Sequence, residues 1–169
     1  MSNILSVIGA KGYQDKEYGD SKDALERHGH TVTTASTADI AHGKFGGTFE
    51  VDTLLNEVNP DDYAAILFVG GQGCFPYFDD PVAHGLAQAF YGSGKVTAAI
   101  CAASAILANA GVLKGKKATC WEGVAEILTA KGADYTGKDV ERDGLIVTAT
   151  GPATAAQFGE MIHKALTGI

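Results

Sequence analysis

Cys101 is the residue of this chain best placed to do chemistry. It follows Val96–Ile100, a short apolar run the size of a buried strand. An Ala-, Leu- and Ile-rich run comes after it, with Ala105, Ile106, Ala108 and Val112 at helical spacing. A strand that feeds straight into a helix leaves no room for a loop. The joint residue is then held in a tight turn, with its side chain over the strand's carboxyl end. The unpaired N–H groups of a first helical turn carry partial positive charge, which stabilises a thiolate and can hold an oxyanion. The arrangement is the cysteine counterpart of the serine nucleophile elbow. A free cysteine is also at home as a small buried hydrophobe, so the rest of the chain has to decide.

A second feature is Gly70-Gly71-Gln72-Gly73, directly after an apolar run. It fits neither GxGxxG nor GxxxxGK[ST], so nucleotide binding is not expected. Its bare backbone offers N–H groups that can approach a reacting centre, although a plain tight turn has the same composition. The three cysteines, Cys74, Cys101 and Cys120, are odd in number and widely spaced, which is not a disulfide framework. There is no CxxC and no paired His/Cys spacing, so no metal is expected. His28, His30, His42, His84 and His163 have no recognisable catalytic context.

Elements must position these residues. The pattern predicts strands over 3–10, 31–35, 63–69, Val96–Ile100, 116–119 and 145–150. It predicts helices over 15–28, 51–58, from Pro81 to about Tyr91, from Ala102, over 122–131, and from Pro152 to about Leu166. Lys11-Gly12-Tyr13 reads as a turn, 41–49 as a small hairpin or mobile excursion, and Asp143-Gly144 as a hairpin turn. Alternating strands and helices imply an α/β single domain over 1–169, a mostly parallel sheet with helices on both faces. In such sheets the site lies outside the carboxyl ends of the strands. Three segments fall there: 11–17, 70–76 and the Cys101 turn.

Composition narrows the partners. The chain has 169 residues, 46% hydrophobic and 20% charged, and a net charge of −7. That balance argues against nucleic acid or an anionic membrane as a partner. Residues 96–113 carry no charge, but Thr97, Ser104 and Asn109 make strand plus helix the better reading than a membrane span. The amino terminus has no basic n-region or cleavage pattern, so a reduced, cytoplasmic setting is expected.

The motifs together resemble the DJ-1/PfpI (ThiJ) superfamily, closer to its DJ-1 branch. Ala98-Ala99-Ile100-Cys101-Ala102 is similar to that family's nucleophile turn. Ala10-Lys11-Gly12 with Glu17 is similar to the loop carrying the cysteine's acidic partner, and Val69-Gly70-Gly71 to its glycine pair. Asp143 to Thr148 and Gly151-Pro152-Ala153-Thr154 resemble its last strand and final helix start. The resemblance implies a flavodoxin-like three-layer sandwich with a cysteine nucleophile elbow, and a homodimer. It implies a cofactor-independent glyoxalase III-like or deglycase-like enzyme acting on small carbonyl substrates, or a redox-sensing, stress-protective or chaperone-like protein. A peptidase is implied less, because PfpI-type peptidases carry His where this chain has Ala102. The DJ-1 branch commonly has a histidine where this chain has Cys120-Trp121, so no Cys/His dyad is expected.

On this resemblance Cys101 is the nucleophile and Glu17 the acid that shares its proton. The N–H groups of Gly71 and Ala102 are expected to hold an oxyanion. Cys120 is expected near Cys101, as a resolving thiol or a buried apolar residue. Arg27 is expected at a dimer interface or in solvent, with Gly70 supporting the site.

Overall fold

The computed structural model describes residues 1–169. In chain order the strands are β1 (Asn3–Val7), β2 (Lys11–Tyr13), β3 (Thr31–Ser36), β4 (Ile40–Gly43), β5 (Thr48–Glu50), β6 (Thr53–Leu54), β7 (Ala65–Phe68), β8 (Val96–Ile100), β9 (Lys117–Ala118), β10 (Asp134–Tyr135), β11 (Val140–Asp143) and β12 (Ile146–Ala149). The helices are α1 (Asp15–Arg27), α2 (Pro81–Gly92), α3 (Ser104–Asn109), α4 (Ala125–Ala130) and α5 (Ala155–Thr167).

Seven strands form the central sheet in the order β11-β12-β8-β7-β1-β3-β6. All neighbours are parallel except β11, which runs antiparallel to β12. Both faces are covered, so β7 and β8 are buried along their whole length. Alternate residues serve opposite cores. Ile66, Phe68 and Ala99 join a core with α2, α3 and α4. Leu67, Ala98 and Ile100 join one with α1 and α5. The chain leaves β1 for β3 on one side and returns to β7 on the other. The strand order therefore reverses between β1 and β7, where a site is expected.

Several expectations are corrected. Residues 51–58 are not a helix: β6 adds to β3 and a single 3-10 turn follows. β-branched Val51, Thr53 and Val58, with Pro60 close behind, suit extended backbone better. Lys11-Gly12-Tyr13 is a strand that pairs with β4, and the hairpin over 41–49 is β4–β5 completing that small sheet. β9 pairs with β10 rather than with the main sheet. The Asp143-Gly144 turn has a charged first arm, β11, on the sheet edge. No helix is long and apolar enough to cross a membrane.

Asp80 caps α2, accepting the Ala83 N–H at 3.0 Å, with Pro81 in the first turn. Asp80→Ala should lower the urea midpoint by the equivalent of about 1 kcal/mol. Alkylation of Cys101 should proceed at the wild-type rate.

Candidate active site

Cys101 is the only non-glycine residue with a positive φ, +63°. L-residues avoid that region by about 1–2 kcal/mol, so the conformation persists only because its surroundings impose it. Strand β8 ends at Ile100, one 3-10 turn spans Cys101–Ala103, and α3 begins at Ser104. The Cys101 carbonyl accepts the Trp121 N–H at 3.2 Å. Cys101 is half-buried and packs against both cores.

Gly70 joins this turn to α1. Its N–H donates to Glu17 Oε1 at 2.9 Å, and its carbonyl accepts the Gln14 N–H at 2.9 Å. Gln14 in turn caps α1, its Oε1 accepting the Glu17 N–H at 2.8 Å. A Cβ on Gly70 would stand 2.6 Å from Glu17 Oε1, 2.8 Å from Cys101 Cβ and 2.9 Å from the Ile100 carbonyl. Gly71, at φ +92°, lies against the Gly12 carbonyl and Gln14 N–H with the same lack of space. The glycine pair therefore lets the acid, the thiol and the end of β8 meet.

Glu17 is completely buried. Its Oε2 has no hydrogen-bond partner, and the side chain that acts most strongly on the carboxyl is the Cys101 thiol. Burial raises its carboxyl to about 7, against smaller opposing effects from the Cys101 and Gly70 hydrogen bonds and the Lys44 charge. Cys101 is pushed up to about 12, first by burial and then by the Glu17 charge. The N–H groups of Ala102 and Gly71 are directed at the sulfur and oppose that rise. The expected low-pKa thiolate is thus corrected, because burial and a neighbouring acid outweigh two backbone donors. The pair accommodates one negative charge between them, and protonating Glu17 removes the charge that is, after burial, the largest cause raising the thiol.

Cys101 and Glu17 open into a cleft of about 480 Å³ with Lys44, Gln72, Phe75 and Trp121 around it. Gly71 and Ala102 also line it, and no histidine does. Cys120 and Arg27 do not line it. Cys120 is sealed in the core, raised to about 12 by burial alone. Arg27 is exposed in the last turn of α1, about 15 Å along the axis from Glu17. The thiol whose charge interacts with Cys101 and Glu17 is Cys74, fully buried and raised for that reason among others. The sequence offered no sign of it beyond its place after the glycine pair.

The model of the DJ-1/PfpI family matches residues 3–165. This chain belongs to the DJ-1/PfpI family. It is 32% identical to "Deglycase PfpI" of Pyrococcus furiosus, covering 88% of this chain and 90% of that protein. It is 31% identical to "Protein dj-1beta" of Drosophila melanogaster, covering 99% and 91%. A ThiJ/PfpI domain protein from Brachyspira murdochii superposes with a TM-score of 0.96 at 34% identity, covering 99% and 97% of the two chains. The sandwich is thus the flavodoxin-like fold of DJ-1/PfpI proteins.

Two tests follow from the geometry. Gly70→Ala should cost about 1–3 kcal/mol in a denaturant titration, since Glu17, Cys101 and the Ile100 carbonyl all crowd the added methyl. The second concerns Glu17. Its folded pKa exceeds the unfolded one, so its contribution to stability is full below about pH 4.5 and is lost as pH rises through about 7. Glu17→Gln mimics the protonated acid. It should gain on the order of 3 kcal/mol over wild type at pH 8 and little at pH 5. Its Cys101 should also ionise at lower pH, read by ultraviolet thiolate absorbance. Identical titration curves for the two proteins would remove the coupling.

Proposed function

We propose that this DJ-1/PfpI protein is a cysteine-dependent, cofactor-independent enzyme that acts on small 2-oxoaldehydes or their protein adducts. The observation that carries this reading is a carboxyl group titrating near 7 against a half-buried thiol at the end of an open cleft. A catalytic acid–base group works best with a pKa near the operating pH. Relatives named deglycase add to its support.

In this mechanism the Glu17 carboxylate takes the Cys101 proton as sulfur attacks the aldehyde carbon. The carbonyl oxygen becomes an oxyanion beside the Gly71 and Ala102 N–H groups, donors typically worth about 3 kcal/mol each. Glu17 returns the proton to that oxygen, giving a hemithioacetal. Glu17 then removes the proton from the former aldehyde carbon and delivers it to the neighbouring carbonyl carbon, while the hydroxyl proton passes from the first oxygen to the second. The product is a 2-hydroxyacyl thioester, which water hydrolyses to a 2-hydroxy acid and the free thiol. The sum is 2-oxoaldehyde plus water to 2-hydroxy acid, with no external oxidant or reductant. A peptidase role has less support, since Ala102 stands beside the nucleophile and no histidine lines the cleft. We further propose a cytoplasmic homodimer, a setting that suits three free thiols.

Incubation with methylglyoxal should yield lactate. Cys101→Ser should abolish it, and Glu17→Gln should lower kcat by about 100-fold or more. Lactate formation that survives Cys101→Ser would overturn the reading. A wild-type protein that makes no lactate but readily forms a Cys101 sulfenic acid would support redox sensing instead.

A further inference from the structure

Lys44 is the only cationic side chain lining the Cys101 cleft. It sits in the turn between β4 and β5, and that turn is built against the start of α1. The Lys44 N–H donates to the Tyr13 carbonyl at 2.8 Å. The Asp15 carboxylate accepts the Phe45 N–H at 2.9 Å and the Gly47 N–H at 2.8 Å. Neither Gly43 nor Gly47 has room for a side chain against that carboxylate. Asp15 lies two residues from Glu17, so the acid and Lys44 are fixed to one short piece of backbone.

The ammonium group has no ion-pair partner in the protein. It lies 5.6 Å from the centre of the Phe45 ring. Its charge nevertheless reaches Glu17 at the bottom of the cleft. The other polar side chains that line the cleft away from the reacting pair, Gln14 and Gln72, are neutral amides. The protein as a whole carries −7, which repels anions from a distance. An unpaired cation held at the mouth by a braced turn reverses that sign locally.

We propose that Lys44 is a specificity-determining residue that favours carbonyl compounds bearing a carboxylate over neutral ones of the same size. This rests on reading the cleft as the place where small carbonyl compounds meet Cys101. Lys44 is exposed, so the preference is modest and sensitive to salt.

The test uses two alkylating reagents that differ in charge and little in size, iodoacetate and iodoacetamide, on wild type, Lys44→Gln and Lys44→Glu. The iodoacetate-to-iodoacetamide rate ratio at Cys101 should fall about fivefold in Lys44→Gln and further in Lys44→Glu. The gap between wild type and both variants should narrow as ionic strength rises. The neutral reagent corrects for any change in thiol ionisation. An unchanged ratio in both variants, or a gap that does not respond to salt, would overturn the proposal. The readout needs no turnover, so a lack of lactate formation would count against the enzymatic reading while leaving this one standing.

Discussion

The site depends on a side chain that is missing. At Gly70 the first turn of α1, the end of β8 and the strained Cys101 turn come within 2.9 Å of where a Cβ would be. The backbone there does two jobs at once, donating to the buried acid and accepting from the residue that caps its helix. Moving Gly70 would release Glu17 and Gln14 together. The positive φ of Cys101 makes sense in this setting. A relaxed turn would carry the sulfur away from the acid, and strain of this size is small beside the packing of two cores around it.

Close approach creates the electrostatic problem that defines the chemistry. A carboxyl and a thiol buried side by side do not readily hold two negative charges: burial raises both, and the Glu17 charge raises the thiol further. The fold softens this with backbone donors rather than with a buried cation. Gly70 donates to the acid, while Gly71 and Ala102 serve the sulfur. Lys44 contributes from the rim, where water screens it. The balance leaves Glu17 near 7, where a change of about one pH unit alters its protonation substantially.

What the sequence made legible was local. The β8–Cys101 junction, the Asp80-Pro81 start of α2 and the Asp143-Gly144 turn depend on neighbours in the chain, and the structure places them as expected. β2, β6 and β10 are strands only because a partner is present to pair with, and two or three residues cannot show that in advance. Glu17 was visible only through family resemblance. Nothing in Asp15–Arg27, a helix rich in acids and bases, marks one carboxyl for complete burial. Cys74 and Lys44 join the site through tertiary packing, so their spacing from Cys101 carried no signal. The thiolate expectation failed for a related reason: the helix-terminus effect is local and legible, whereas the depth of the sulfur and the acid beside it are not.

The protonation state also bears on the choice between turnover and redox sensing. Oxidation by peroxide proceeds through the thiolate, so sensor cysteines are ordinarily exposed and low in pKa. Cys101 is half-buried and held high while Glu17 is charged. Addition to an aldehyde makes a different demand. The thiol needs a base at the moment of attack, and the oxygen that forms needs an acid just afterwards. A carboxyl raised to about 7 beside the thiol can serve as each in turn. A thiol held high beside a buried carboxyl is better matched to a reaction that returns the thiol than to one that consumes it.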